Sequence, residues 1–313
     1  MMAAAMNSNS ERPAPPPLAL PPARGRIVLD APLARFTWFR VGGPADALFR
    51  PADADDLAAF LRGLPAGTPV WPLGVGSNVI VRDGGVAGVV VLLRGPFVEI
   101  SVDGEAVVAG AGALAANVAL RAADAGLAGL EFLSGVPGSV GGAVRMNAGA
   151  YEGETKGVLE WAEVVSRDGE LRRLSADALG LAYRHSDLSA DDVVIRARFR
   201  GVPDDADAVR ARLRDVQAKR EAAQPLRTRT GGSTFRNPPG QKAWELIDRA
   251  GCRGLRVGGA HVSHKHCNFL IADDGATAAD IEALGETVRR RVLEKTGVAL
   301  EWEIKRIGRE GPR

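Results

Sequence analysis

The chain predicts an α+β fold, on three observations. Short apolar runs come in pairs joined by Asp-Gly turns, at Asp103-Gly104 and Asp168-Gly169, the mark of β-hairpins. Stretches of helical periodicity lie among these pairs without the regular strand–helix alternation of a parallel sheet. No internal repeat organises the 313 residues, a length that allows two or three domains around a large core. Hydrophobic and charged contents of 46% and 25% are those of a soluble globular chain. A net charge of +2 argues against nucleic acid as a partner. No run reaches the roughly 20 apolar residues of a membrane span, so a membrane partner is not expected. Cys252 and Cys267 show no CxxC spacing and fit a reducing compartment, so a cytoplasmic protein is expected.

Taken in order, the Pro- and Ala-rich N-terminus lacks the basic and apolar regions of a secretory signal. Residues 1–28 are expected to form a disordered or polyproline-like tail. Gly42-Gly43-Pro44 marks a turn before a strand at Ala47–Arg50. Asp53 to Leu61 reads as a helix, with Asp53 and Asp55 near its positive end. VWPLGVGSNVIV reads as strand, turn and strand. Its turn, Gly74–Asn78, either binds phosphate through backbone amides or is an ordinary connection.

After the hairpin at Asp103-Gly104, Gly110, Gly112 and Ala115 match the GxGxxA dinucleotide pattern. That pattern needs a second parallel strand ending near an acid about twenty residues on. The helix Leu114–Ala125 runs instead into LEFLSGVPGSVGGAVRMNAGAY (Leu130–Tyr151), which excludes a Rossmann domain. Glycine lets backbone approach a ligand closely, and a run this rich in Gly, Ser and small residues suggests amides laid against phosphates. Phe132, Val136, Val140, Val144 and Met146 argue against a solvated linker, and only Glu131 and Arg145 carry charge. A buried or ligand-covered loop is expected.

A second hairpin and the strand DDVVIRARFRGV follow, then a strongly amphipathic connector helix over Asp204–Ala223. The loop QPLRTRTGGSTFRNPPG leads to a helix, AWELIDRAG, ended by Gly251. HCNFLIAD reads as a strand, Thr277 and Asp280 as a capping box opening a helix to about Lys295, and GVALEWEIKRIG as a closing strand.

Four places carry candidate chemistry. Arg184, after Tyr183, is a fixed cation with a planar donor fork suited to an oxyanion, or a surface arginine. Ser233 follows Gly231 and Gly232 and serves either a site or a helix cap; no GxSxG elbow is present. His261, His264, His266 and Cys267 fit no closed zinc spacing, and a strand would turn His266 and Cys267 to opposite faces, so no metal is expected. Glu303 is either an inward acid needing a partner or a plain surface acid. Residue chemistry alone gives a phosphate- or nucleotide-binding enzyme and leaves the reaction open.

Together, TWFRVGGPAD (37–46), LGVGSNVIV (73–81), GLEFLSGVPGSVGGAVRMNAGAYEGE (129–154), YRHSDL (183–188), GSTFRNP (232–238), AWELIDRAGCRG (243–254), SHKHCNFLI (263–271) and LEWEIKRIG (300–308) resemble the UDP-N-acetylenolpyruvoylglucosamine reductase family. No additional tyrosine-bearing loop is found, which resembles the shorter type, and Ala272 stands where the family often has Asn.

The resemblance implies a two-subdomain FAD-binding unit of the PCMH/vanillyl-alcohol-oxidase-like type, with subdomains at 29–100 and 101–207. A C-terminal α+β substrate-binding domain at 208–313 would follow. FAD would be held by Gly74, Gly76, Ser77 and Asn78, by Ser134, Gly135, Pro137, Gly138, Ser139, Gly141 and Gly142, and by Asn147, Ala148 and Gly149. NADPH would reduce the flavin and leave, and UDP-N-acetylglucosamine enolpyruvate would then be reduced to UDP-N-acetylmuramate for peptidoglycan. Arg184 matches the residue that stabilises the enolate, with Glu303 as its acidic partner, a protonated Glu303 donating to the enolate. Ser233 matches the donor of the C2 proton. Tyr183 and Asn237 match substrate-binding positions, and a monomer is expected.

Overall fold

The computed structural model describes residues 18–311. β1 (Arg26–Pro32) and β2 (Pro44–Arg50) pair antiparallel, and α1 (Ala54–Gly63) crosses to β3 (Val70–Leu73). After the short β4 (Val79–Val81), β5 (Val86–Leu92) inserts between β2 and β3, parallel to both. One β–α–β crossover therefore sits in a fold whose other sheets are mostly antiparallel. The Asp53 carboxylate caps α1 by accepting from the Asp56 amide, and Phe60 of α1 stacks on Phe49 of β2 with ring centroids 4.0 Å apart.

The expected tail ends earlier than residue 28. The buried Asp56 carboxylate accepts from the backbone amides of Arg24, Gly25 and Ala52, and a buried carboxylate requires such donors. Leu18, Leu20 and Ala23 pack against the core, and β1 already begins at Arg26. Residues 1–17 of that expectation lie outside the described residues.

The second sheet starts with the hairpin of β6 (Ile100–Asp103) and β7 (Ala106–Gly110), followed by α2 (Ala115–Asp124) and the short β8 (Leu127–Ala128). The glycine-rich run then departs from a plain loop. It forms a 3-10 turn at Glu131–Gly135, α3 (Val140–Arg145), a tight ribbon of β9 (Gly149–Ala150) and β10 (Gly153–Glu154), and α4 (Thr155–Val158). The five-stranded sheet is completed by β11 (Leu159–Val165), β12 (Leu171–Ser175) and β13 (Val193–Arg200). Its order is β12-β11-β13-β7-β6, antiparallel throughout. In that setting the GxGxxA run is structural: a Cβ on Gly110 would lie 2.2 Å from the Phe97 carbonyl oxygen, and one on Gly112 2.6 Å from that of Leu93. The largest apolar cluster runs through both sheets, from Phe49 and Val91 to Val107 and Phe199.

β14 (Val202–Pro203) pairs with β8, and α5 (Ala206–Ala223) follows. Its amphipathic face is narrower than expected, since only Val209 and Leu213 are buried. Ion pairs help to tie it down, from Arg210 to Asp124 and from Arg212 to Glu131.

The C-terminal part holds α6 (Ala243–Arg249), β15 (Arg256–Val257), β16 (Ala260–Val262), β17 (Leu270–Ala272), α7 (Ala278–Thr296) and β18 (Lys305–Ile307). Thr277 and Asp280 form the expected capping box, with Gly297 in the left-handed region closing α7. Two expected strands are shorter. His266 and Cys267 precede β17, and Trp302–Ile304 precede β18 because Trp302 bridges to Phe235 and the Glu303 amide donates to the Thr234 carbonyl. β18 then runs parallel to β4, and Phe39, Val41 and Ile80 enter the C-terminal core, so the last domain is fastened to the first.

Candidate active site

A cavity of about 970 Å³ is lined by residues of all three parts of the fold. This is the upper end of the size range of ligand sites. One stretch of wall is the Gly74–Asn78 turn after β3, joined by residues of the glycine-rich run. These two loops touch because they lack side chains at the contact: a Cβ on Gly74 would lie 2.2 Å from the Ser139 hydroxyl oxygen. Gly76 has φ +65°, its carbonyl accepts from the Trp38 amide, and a Cβ there would strike the Phe36 carbonyl. The Ser77 hydroxyl donates to the Pro137 carbonyl at 2.6 Å and stitches the loops together.

Gly138 and Gly142 differ from these. Neither has a positive φ, and a Cβ would meet nothing nearer than 3.3 Å and 3.6 Å respectively. Both line the cavity, so their missing side chains leave its wall bare backbone there. A glycine cradle of this kind fits the phosphates of a nucleotide cofactor.

Of the residues expected to hold the cofactor, Gly74, Gly76, Ser77, Asn78, Gly135, Pro137, Gly138, Ser139, Gly142, Ala148 and Gly149 line the cavity. Ser134, Gly141 and Asn147 do not, each for a local reason. Ser134 is buried and its hydroxyl donates to the Glu131 carbonyl. Gly141 donates its amide to the Ala111 carbonyl and lines a small neighbouring pocket. Asn147, buried at φ +40°, spends its amide inward: Nδ2 donates to Glu154 at 3.0 Å and to the Ala182 carbonyl at 3.2 Å, while Oδ1 accepts from the Lys156 amide at 2.8 Å.

The Ala182 carbonyl begins the turn that presents Arg184. Arg184 has φ +54°, a conformation that costs a non-glycine residue about 1–3 kcal/mol and persists only where neighbours impose it. Here the Ala182–His185 bridge and Asn147 supply that constraint. The Arg184 Nε donates to the Glu303 carboxylate at 2.6 Å, both side chains being largely buried. Glu303 thus stands beside Arg184 as its acidic partner, one carboxylate oxygen accepting from the guanidinium. Its backbone is fixed on both sides, with the amide donating to the Thr234 carbonyl and the carbonyl accepting from Asn78 Nδ2. Ser233 lies between Gly232, at φ +76°, and Thr234, and lines the same cavity as Arg184 and Glu303.

Tyr183 and Asn237 stay out of the lining. The Tyr183 ring is exposed, with the Arg184 guanidinium 4.9 Å from its centroid. Asn237 is exposed and accepts from the Ala243 amide at 3.0 Å, which anchors the start of α6. Ala272 is buried in the C-terminal core and its amide donates to the Arg229 carbonyl.

The cavity wall also includes Arg145, Tyr151, Phe269 and Lys305, which sequence reasoning did not assign. Arg145 had a visible signal as the one cation in the glycine-rich run. Burial raises the Tyr151 phenol above its ordinary value. The histidines separate: His261 pairs with Asp273, while His266 packs edge-on to Phe269 at 4.8 Å and is held below its ordinary value by burial. Cys267 lies against Asp248, its thiol pushed up to about 11 by burial. Among the described residues, no three His, Cys, Asp or Glu side chains are grouped for a metal ion.

Known proteins resemble this arrangement along nearly the whole chain. A profile described as the FAD binding domain matches residues 45–175, and one described as the UDP-N-acetylenolpyruvoylglucosamine reductase C-terminal domain matches residues 224–307. The enzyme of that name from Gluconobacter oxydans is 62% identical over 287 residues, 92% of this chain and 94% of its own length. The chain belongs to the UDP-N-acetylenolpyruvoylglucosamine reductase family. The Acidiphilium cryptum member is also 62% identical, over 93% of this chain and 94% of its own. The crystal structure of the Thermus caldophilus enzyme (MurB) gives a TM-score of 0.79 at 38% identity, covering 91% of this chain and 99% of that one. This family member is a flavin-dependent oxidoreductase with FAD as its cofactor, on the expected α+β scaffold of a flavin-binding unit and a C-terminal domain. Among the described residues, no helix is long and apolar enough to cross a membrane.

Proposed function

We propose that the protein reduces UDP-N-acetylglucosamine enolpyruvate to UDP-N-acetylmuramate with NADPH in a ping-pong cycle, as a cytoplasmic monomer supplying peptidoglycan synthesis. Bound FAD would supply the redox chemistry, the transfer of hydride from NADPH to C3 of the enolpyruvyl group. In this reading Gly74–Asn78, Gly135, Pro137–Ser139, Gly142, Ala148 and Gly149 hold FAD, and residues 208–313 bind the sugar nucleotide.

The reading rests on one observation: Arg184, Ser233 and Glu303, far apart in sequence, line the cavity that the glycine loops also line. Hydride addition places negative charge on the enolate beside the substrate carboxylate. Arg184, with Nε occupied by Glu303, turns its remaining donors to that charge. Glu303 fixes the angle of the guanidinium and keeps it from collapsing onto another partner. Ser233 delivers a proton to C2, where the carbanion-like centre is basic enough for a hydroxyl to serve.

Stopped-flow kinetics of Ser233→Ala test this reading. Flavin reduction by NADPH is expected to persist, and reoxidation by the enolpyruvyl substrate to fall by about 10²-fold or more. Equal losses in the two half-reactions would refute proton donation by Ser233.

A further inference from the structure

Arg145 is a cation that the reading above leaves without a task. It ends α3, at the close of the glycine cradle, and it lines the cavity. It also lines the small adjoining pocket, together with Gly74, Ser139 and Gly142. These three glycine-loop residues line the main cavity as well, so Arg145 stands where the two spaces join at the cradle.

Its protein contacts do not neutralise it. Among the described residues Arg145 forms no ion pair: its Nη2 donates to the carbonyls of Ser189 and Asp192, which are neutral. The carboxylates of Asp191 and Asp192 attract it from beyond ion-pair distance, and burial dominates over them, disfavouring its charge. Its own carbonyl accepts from the Ser186 hydroxyl, which holds the end of α3 against the 186–192 segment. Arg184, by contrast, already has Glu303. A half-buried guanidinium with no ion-pair partner among the described residues, on the wall of a ligand cavity, calls for an anionic ligand.

We propose that Arg145 binds the diphosphate of FAD, as a side-chain cation at the end of a cradle of backbone amides. The assignment rests on FAD occupying the glycine loops. The alternative is a strut, with Arg145 only bracing residues 189–192.

Equilibrium binding of FAD and riboflavin to the full-length chain stripped of flavin, read by flavin fluorescence over a series of salt concentrations, decides between them. Tight FAD binding by the wild type tests occupancy itself; the variants test Arg145. Arg145→Gln is expected to weaken FAD binding about 10- to 100-fold, the range for hydrogen bonds to a charged group. Its affinity should also depend less steeply on salt, because one screened charge pair is gone. Riboflavin, which carries no phosphate, should bind wild type and variant alike, and Arg145→Lys should restore the salt slope and part of the affinity. Unchanged FAD affinity and slope overturn the proposal. So does equal weakening of FAD and riboflavin with the slope intact, the result for a strut. A raised KM for NADPH with FAD affinity intact overturns it too, placing the arginine at the pyridine nucleotide.

Discussion

The glycine loops and the Arg184 end of the cavity are built by opposite means. Each loop is a contiguous segment, and most of its geometry follows from missing side chains: Gly74 and Gly76 can be nothing larger because Ser139 and Phe36 occupy the space. The reacting end borrows from three distant segments and is held by hydrogen bonds between them. Asn147 holds the turn of Arg184, Arg184 holds Glu303, and Glu303 is clamped by Thr234 and Asn78. Each half of the cradle can therefore be seen in the sequence as a glycine-rich segment, whereas a constellation that stabilises charge depends on a network of single residues.

The sharpest test of that contrast lies at the reacting end. Arg184→Ala and Glu303→Gln are each expected to slow reoxidation by the enolpyruvyl substrate by about 10²–10³-fold, as removal of a charge-stabilising donor or its support does. Flavin content, read from the absorption spectrum, should stay at the wild-type value; loss of flavin would erase the distinction between the two ends.

A link between the ends is tested next. Asn147→Asp removes both Nδ2 bonds and sets a second carboxylate against Glu154. Denaturant unfolding should show destabilisation of about 1–3 kcal/mol, the cost of leaving buried polar groups unpaired. Substrate reoxidation should slow with it while reduction by NADPH changes little. Wild-type reoxidation in this variant would show that the Arg184 turn does not depend on Asn147.

Two glycines separate packing from ligand space. Gly74→Ala forces a methyl group against Ser139 and should cost the flavin-free protein about 1–3 kcal/mol. Gly142→Ala meets no such contact and should change that stability by less than about 0.5 kcal/mol, yet weaken FAD binding. Identical behaviour of the two alanines would contradict the division.

The smallest effect concerns His266, whose burial lowers its pKa from the ordinary 6.5. The folded protein binds that proton less readily than the unfolded chain, so the stabilising contribution is complete above 6.5 and is lost as pH falls through the lowered value. Replacing His266 by Phe should flatten part of the acid side of a curve of Tm against pH; parallel curves would count against a buried neutral imidazole.

Much of this was readable from local chemistry. The Asp-Gly hairpins, the Asp53 cap and the Thr277–Asp280 capping box are set by residues within a few positions of one another. Sequence determined them because backbone conformation and short-range hydrogen bonds are local. Tertiary structure decided the rest. It turned Ser134 and Asn147 inward, set Asn237 on α6, ended the N-terminal tail at the Asp56 carboxylate and took Glu303 out of a strand to meet Arg184. It also brought Arg145 to the cavity wall, where among the described residues it forms no ion pair. Each outcome depends on which distant group fills the space or supplies the hydrogen-bond partner, and that is decided only when the chain has packed.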